Sequence, residues 1–355
     1  MTFDKRAPLA ALLLVCAACD EPGGQASSQL DGGDARAGND ADANIPNDVN
    51  TSNDTAPDGQ VGPASLVDPS CVDGQFSEAI GGELVDIGDL VASYSQANYL
   101  SFVDAVLERR YPVGGFLVDE GVRLGQRFGN CVELFTSRRG QASTLMRELS
   151  TAVHECGHIA DLSLGGFSEN VFIVTENLRF ECNRGDTTTR GGDTFARSLL
   201  NGDDYAALLP DDFYKDVYLD GDPADSIFES GDQGFNSVLE EALQYVNSLA
   251  TDYYFRDQLG GFSISAKDGI LTFLWYIQRY LRMARLDFPQ AYDRLTTDSC
   301  WRESILTLWG RAWLYLEAAR STRQLGINAD DLEELVTDPN LLDEIERVRT
   351  AHGCR

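Results

Sequence analysis

The residues best suited to act together chemically lie in one short stretch, TAVHECGHIAD, Thr151 to Asp161. It holds two of the chain's 3 histidines, His154 and His158, with Glu155 beside the first; the third is His352. On an α-helix, positions i and i+4 share a face one turn apart, so both imidazoles can be offered to one ion. Glu155 projects about 100° round the helix, off the ligand face but within reach of a water on that ion. Hydrolysis of an amide with zinc needs this set. The metal acidifies water, and a carboxylate takes the proton and hands it to the leaving amine. The spacing therefore implies a Zn2+ site with His154 and His158 as ligands and Glu155 as general base.

Catalytic zinc takes three protein ligands and leaves a position for water. The third cannot come from the all-histidine pattern, because the position it requires is Leu164 and Asp161 stands where its glycine belongs. His352, close to the C-terminus, reads as a helix-end or surface histidine. A carboxylate remains. Enzymes of the thermolysin type would carry theirs at Asn177 or Leu178, so Glu176 falls just short of that register. Glu176 and Glu181 also lie in a β-branched, aromatic segment whose acidic residues read as a solvated strand face. Glu240 and Glu241, in FNSVLEEALQYVNSLATD, sit on a strongly periodic helix with an apolar stripe of Leu239, Leu243 and Val246. Glu240 borders that stripe and Glu241 lies nearly opposite. A metal cleft can occupy another side of the helix, so periodicity does not choose between them.

HECGHIAD together with LEEALQYVNSLATD resembles the anthrax lethal factor type of zinc peptidase, which includes secreted Pro-Pro endopeptidases. That family carries H-E-x-G-H-x-x-D on one helix and a glutamate ligand in a downstream A-E-A-hydrophobic helix. Gly157 and Asp161 match the first element, and Glu241-Ala242-Leu243 matches the end of the second. The resemblance implies a zincin-like domain, a glutamate-ligand zinc peptidase, and Glu241 as third ligand. It also implies a transition-state tyrosine, for which Tyr205, Tyr214, Tyr218 and Tyr245 are all open. Asp161 could orient a ligand histidine or cap the helix end. Cys156 points away from the ligand face, which suits a disulfide or a buried thiol. The acidic loop Asp220 to Ser226 has irregular spacing and reads as a solvated turn in preference to a calcium loop.

These residues need elements to hold them. The helix of the two histidines should run through QASTLMRELSTAVHECGHIADLSLGG and stop at Gly165-Gly166. Helical periodicity also spans about Ile87 to Arg110. GGFLVDEGVRL and GNCVELFTSRRG read as short glycine-separated strands, and NVFIVTENLRFECN as a pair of strands. Positions 184–234 are rich in Gly and Asp and read as a loop with short helical pieces near Phe195–Leu200 and Tyr205–Leu208. The rest is helical, the Glu240–Glu241 helix starting at Asn236 or Ser237. The apolar run at Gly269 to Tyr280 is too short to span a membrane and reads as a buried helix. The expected class is mainly α (α+β), with a small β-sheet preceding the histidine helix and a helical C-terminal part.

Lys5 and Arg6, the apolar run Leu9 to Val15 and the small residues before Cys19 read as a signal peptide over residues 1–18. Small residues ahead of a cysteine are similar to a bacterial lipobox, which implies lipidation of Cys19; cleavage after Ala18 with secretion is the alternative. Residues 19–70 are poor in apolar side chains and rich in Asp, Asn, Gly, Ala and Ser, which reads as a disordered linker. Residues 71–355 form the expected zincin-like metallopeptidase domain. Beyond Cys19 lie six cysteines, an even set that an exported protein can oxidise.

At 355 residues and 43% hydrophobic the chain can bury a full core. A net charge of -29 repels phosphate backbones and argues against nucleic-acid partners. The expected protein is a monomer in the cell envelope, lipid-anchored to the membrane and facing periplasm or exterior, hydrolysing peptide bonds of a protein or peptide substrate. Two alternatives remain: a non-catalytic surface lipoprotein with a structural or degenerate metal site, and a hydrolase of cell-wall amides.

Overall fold

The computed structural model describes residues 66–165, 169–183, 203–210, 214 and 234–354. Four short or mid-length helices lead in: α1 (Val72–Gln75), α2 (Gly88–Ala92), α3 (Tyr99–Arg110) and α4 (Pro112–Leu124). Next come α5 (Cys131–Phe135), α6 (Ala142–Met146) and α7 (Leu149–Gly165), which carries both motif histidines. Strands β1 (Glu169–Thr175) and β2 (Leu178–Asn183) follow, then α8 (Asp203–Leu208) and α9 (Phe235–Tyr254). The chain closes with α10 (Ala266–Asp287), α11 (Pro289–Thr297), α12 (Ser299–Ala318), α13 (Ala329–Val336) and α14 (Pro339–His352). Cys19, the linker residues before Leu66, Phe195–Leu200, Tyr218 and the Asp220 to Ser226 loop lie outside the described residues.

Among the described residues the mainly α class with one small sheet holds, but the sheet follows the histidine helix instead of preceding it. GGFLVDEGVRL, read as a strand, is most of α4, and CVEL opens α5. Pro112 at the first position of α4 starts a helix that glycine content alone argues against. Gly121 is kept in it by packing, since a Cβ there would lie 2.5 Å from the Cys156 carbonyl oxygen of α7. In α5, Asn130 accepts hydrogen bonds from the Val132 and Glu133 amides, a side-chain cap that the β-branched content of the segment masked. Two long expected helices are broken. The first is interrupted between Ala92 and Tyr99, and the second between Met146 and Leu149.

β1 and β2 form an antiparallel hairpin in the expected segment, pairing Phe172 with Phe180 and Val171 with Glu181. Val171, Phe172, Ile173 and Val174 are all buried, because the strand lies between α7 and the ring of Trp301, 5.8 Å from Phe172. α7 is buried almost all round from Leu149 to Asp161, as befits a helix in the middle of the domain. α10 is buried continuously from Ala266 to Gln278, so its apolar run belongs to the core. Among the described residues no helix is long and apolar enough to cross a membrane.

Three disulfides pair the six later cysteines: Cys71–Cys354, Cys131–Cys156 and Cys182–Cys300. Before Cys71, the Leu66 carbonyl accepts hydrogen bonds from Trp309 and Arg349.

Candidate metal centre

α7 and α9 run antiparallel: His158 meets Glu240, His154 meets Ser248, and Ser150 meets Asp252. Each helix turns a polar row to the other. Ser150, His154, His158 and Asp161 line one side, and Glu241, Gln244, Ser248 and Asp252 the other, both at three-to-four-residue spacing. The apolar stripe of Leu239, Leu243 and Val246 is buried on the remaining side of α9. α9 itself begins at Phe235, with Gly234 preceding it.

The row converges on three atoms. His154 Nε2 and His158 Nε2 are 2.9 Å apart, and Glu241 Oε2 lies 3.6 Å from the first and 3.5 Å from the second. The point equidistant from these corners is roughly 2 Å from each, the range of zinc–nitrogen and zinc–carboxylate bonds. His154 is 1% exposed, and His158 and Glu241 are 2% exposed. Neither carboxylate oxygen of Glu241 has a hydrogen-bond partner. A buried ionised carboxylate without donors is costly, and a cation among the three groups removes that cost. The residues fit a metal ion, and among the described residues His154, His158 and Glu241 are the group able to hold one.

The other ring nitrogens are also engaged. His158 Nδ1 lies 2.8 and 2.7 Å from the two oxygens of Glu240, and His154 Nδ1 lies 3.0 Å from Ser248 Oγ. Each contact suits Nδ1–H as donor, which leaves Nε2 as a lone pair facing the centre. With no cation at the centre, burial opposes a charge on His158, but Glu240 and Glu241 overcome it and hold its pKa well above the usual value; a cation there would take the place of the Nε2 proton. Burial likewise pushes the Glu241 carboxyl up, yet His158 and His154 outweigh it and keep the group ionised, well below the usual carboxylate range.

Asp161 neither caps the helix end nor touches a ligand ring by hydrogen bond. Its Oδ1 accepts the Ile173 amide of β1 at 2.9 Å, and its Oδ2 accepts Gln244 Nε2 at 3.0 Å. Burial, then the charge of Glu240, drives its pKa well above normal. Gly157 is required by the same seam. A Cβ there would fall 2.0 Å from Gln244 Oε1, so only glycine lets that side chain lie against α7. Glu155 is buried on α7 at 1% exposure.

Glu176 and Glu181 are exposed and outside the centre, Glu181 pairing with Arg179 at 2.8 Å. His352 ends α14. Cys156 is disulfide-bonded to Cys131. Of the open tyrosines, Tyr205 is a core residue on Thr272 and Trp275. Tyr245 packs edge-on against His154 at 4.9 Å between ring centroids, and Tyr214 packs on Tyr245 at 5.6 Å. Sequence reasoning left Glu240 as a competing ligand and missed Gln244 and Ser248 altogether. Their signal was the polar row opposite the apolar stripe. Comparison with protein families, curated proteins and solved structures gives no match.

Proposed function

We propose that this chain is a zinc-dependent endopeptidase of the cell envelope, carried on a lipidated Cys19 and acting on protein or peptide substrates. The observation that carries the reading is the buried triangle of His154 Nε2, His158 Nε2 and Glu241 Oε2, with the Glu241 oxygens lacking hydrogen-bond donors. Three protein ligands, not four, is the count for a centre that keeps a position for water. Three disulfides suit an oxidising compartment. When bound, zinc supplies acidification of that water and polarisation of the scissile carbonyl. The protein's share is to orient and to move protons. Glu240 and Ser248 fix which nitrogen of each imidazole is bare, and Glu155 accepts the water's proton and delivers it to the departing amine nitrogen.

The test is zinc content and casein hydrolysis by the wild-type protein and Glu155→Gln. We expect one zinc per chain in both and a rate lower by about 100- to 10,000-fold in the variant. Wild-type proteolysis by Glu155→Gln would sink the mechanism. Peptidoglycan run in parallel separates a peptidase from a cell-wall amidase. The near-complete burial of the ligands and of Glu155 favours one rival, a non-catalytic module with a structural ion. A wild-type protein that binds zinc and cleaves neither substrate would select that rival.

A further inference from the structure

We propose that Glu240, the residue before the third ligand, is the positioning residue of the metal centre, directing His158 and strengthening it as a ligand while Gln244 holds Glu240 in place. The proposal rests on the reading of His154, His158 and Glu241 as ligands.

The two histidines are supported unequally. His158 Nδ1 faces both oxygens of a carboxylate, at 2.8 and 2.7 Å, whereas His154 Nδ1 faces a single hydroxyl at 3.0 Å. A hydrogen bond to an ionised acceptor is about twice as strong as a neutral one, and a carboxylate on the far nitrogen makes the near nitrogen a better donor to metal. Glu240 is itself fixed. Gln244 Nε2 donates to Glu240 Oε1 at 3.2 Å and to Asp161 Oδ2 at 3.0 Å, so one amide ties two carboxylates from facing helices. Gln244 Oε1 accepts from Asn247 Nδ2 at 2.8 Å, and Asn247 Oδ1 accepts from Arg311 Nη1 at 2.7 Å. Arg311 is wholly buried and anchored by Glu78 and Tyr111. An unbroken hydrogen-bonded line thus runs from a core guanidinium on α12 to the ring of a metal ligand. Apolar packing alone would need none of these polar groups. Glu240 would also add a second negative charge near a divalent ion held by Glu241.

The experiment measures zinc affinity by competition with a chromogenic chelator on the purified chain and on Glu240→Gln, Glu240→Ala, Ser248→Ala and Glu241→Gln. The visible absorption of the cobalt-substituted proteins and the melting of the metal-free forms are recorded alongside. Glu240→Gln and Glu240→Ala are expected to keep one site but bind zinc about 10- to 100-fold more weakly, with a shifted cobalt spectrum. Ser248→Ala loses less than Glu240→Ala, and Glu241→Gln loses stoichiometric binding. Metal-free Glu240→Gln melting with the metal-free wild type separates positioning from folding. If that variant fails to fold, Glu240→Ala carries the same comparison. Wild-type affinity and an unmoved cobalt spectrum in both Glu240 variants would overturn the proposal. So would loss of the site in Glu240→Gln with its retention in Glu241→Gln, which exchanges the two roles. Failure of the wild-type chain to bind zinc at all refutes the ligand reading instead, so the two failures are told apart.

Discussion

Asp252 stands on the same polar row of α9 as Glu241, three turns further on, and its carboxyl is shifted the other way. Glu241 faces two imidazoles and stays ionised. Asp252 is buried against the Ser150 hydroxyl; burial dominates and pushes its pKa up to about 7 from 3.8. Between pH 4 and 7 the folded chain binds a proton here that the unfolded chain has released, so stability falls as pH rises through that window. The shift corresponds to a penalty of up to roughly 4 kcal/mol above pH 7. Asp252→Asn removes it. We expect the variant to unfold at higher urea than wild type at pH 8, with the difference shrinking to near zero by pH 4. Equal urea midpoints at pH 8 would show that Asp252 ionises without cost.

At the scale of elements, the centre depends on how closely α7 approaches its neighbours, and two glycines set that distance. Gly121→Ala drives a methyl group into the Cys156 carbonyl and should cost about 1–3 kcal/mol or more, since backbone cannot swing aside. Gly157→Ala meets the tip of Gln244, a side chain held by three hydrogen bonds, and should weaken zinc binding more than it lowers the melting temperature. Gly140→Ala, with nothing within 4 Å of the added carbon, is the control and should leave both unchanged. If Gly157→Ala left zinc affinity intact, the α7–α9 seam would not be what positions the ligands. The same contacts explain what the sequence could and could not disclose. His154, Glu155 and His158 are legible because one helix presents them by local geometry, whatever surrounds it. Periodicity left Glu240 and Glu241 undecided, and resemblance pointed to Glu241; the structure brings Glu241 to the two histidines and sets Glu240 behind His158. α4 read as strand because its glycines weaken a helix and its valines and phenylalanine suit a sheet by propensity, and the close approach of Gly121 to α7 is a tertiary contact that sequence does not show. The pair of strands expected at NVFIVTENLRFECN is the hairpin, since a run of consecutive apolar, β-branched residues is visible without partners.

For the molecule as a whole, the disulfides divide between the metal scaffold and the rest of the fold. Cys131–Cys156 clamps α5 to the ligand helix, Cys182–Cys300 ties the hairpin to α12, and Cys71–Cys354 closes the domain end to end. In the chain-entropy picture the separations of 25 and 283 residues correspond to about 3.5 and about 5.6 kcal/mol. Replacing Cys71 and Cys354 by alanine should therefore lower the unfolding free energy more than replacing Cys131 and Cys156. The order should reverse for zinc affinity, because the shorter link holds the helix that carries both histidines. A bound ion adds its own stabilisation by mass action, about 2.7 kcal/mol at a free concentration one hundred times its dissociation constant. Chelation should accordingly lower the melting temperature of the wild-type chain by several degrees and that of the Cys71/Cys354 variant by a similar amount. The Cys131/Cys156 variant should lose less on chelation, having less metal to lose. Glu241→Gln should not respond to chelator at all. A calorimetric series over these four proteins, with and without chelator, separates the link that sustains the fold from the link that sustains the centre. Equal chelator responses in the two disulfide variants would show that the clamp on α7 serves stability alone.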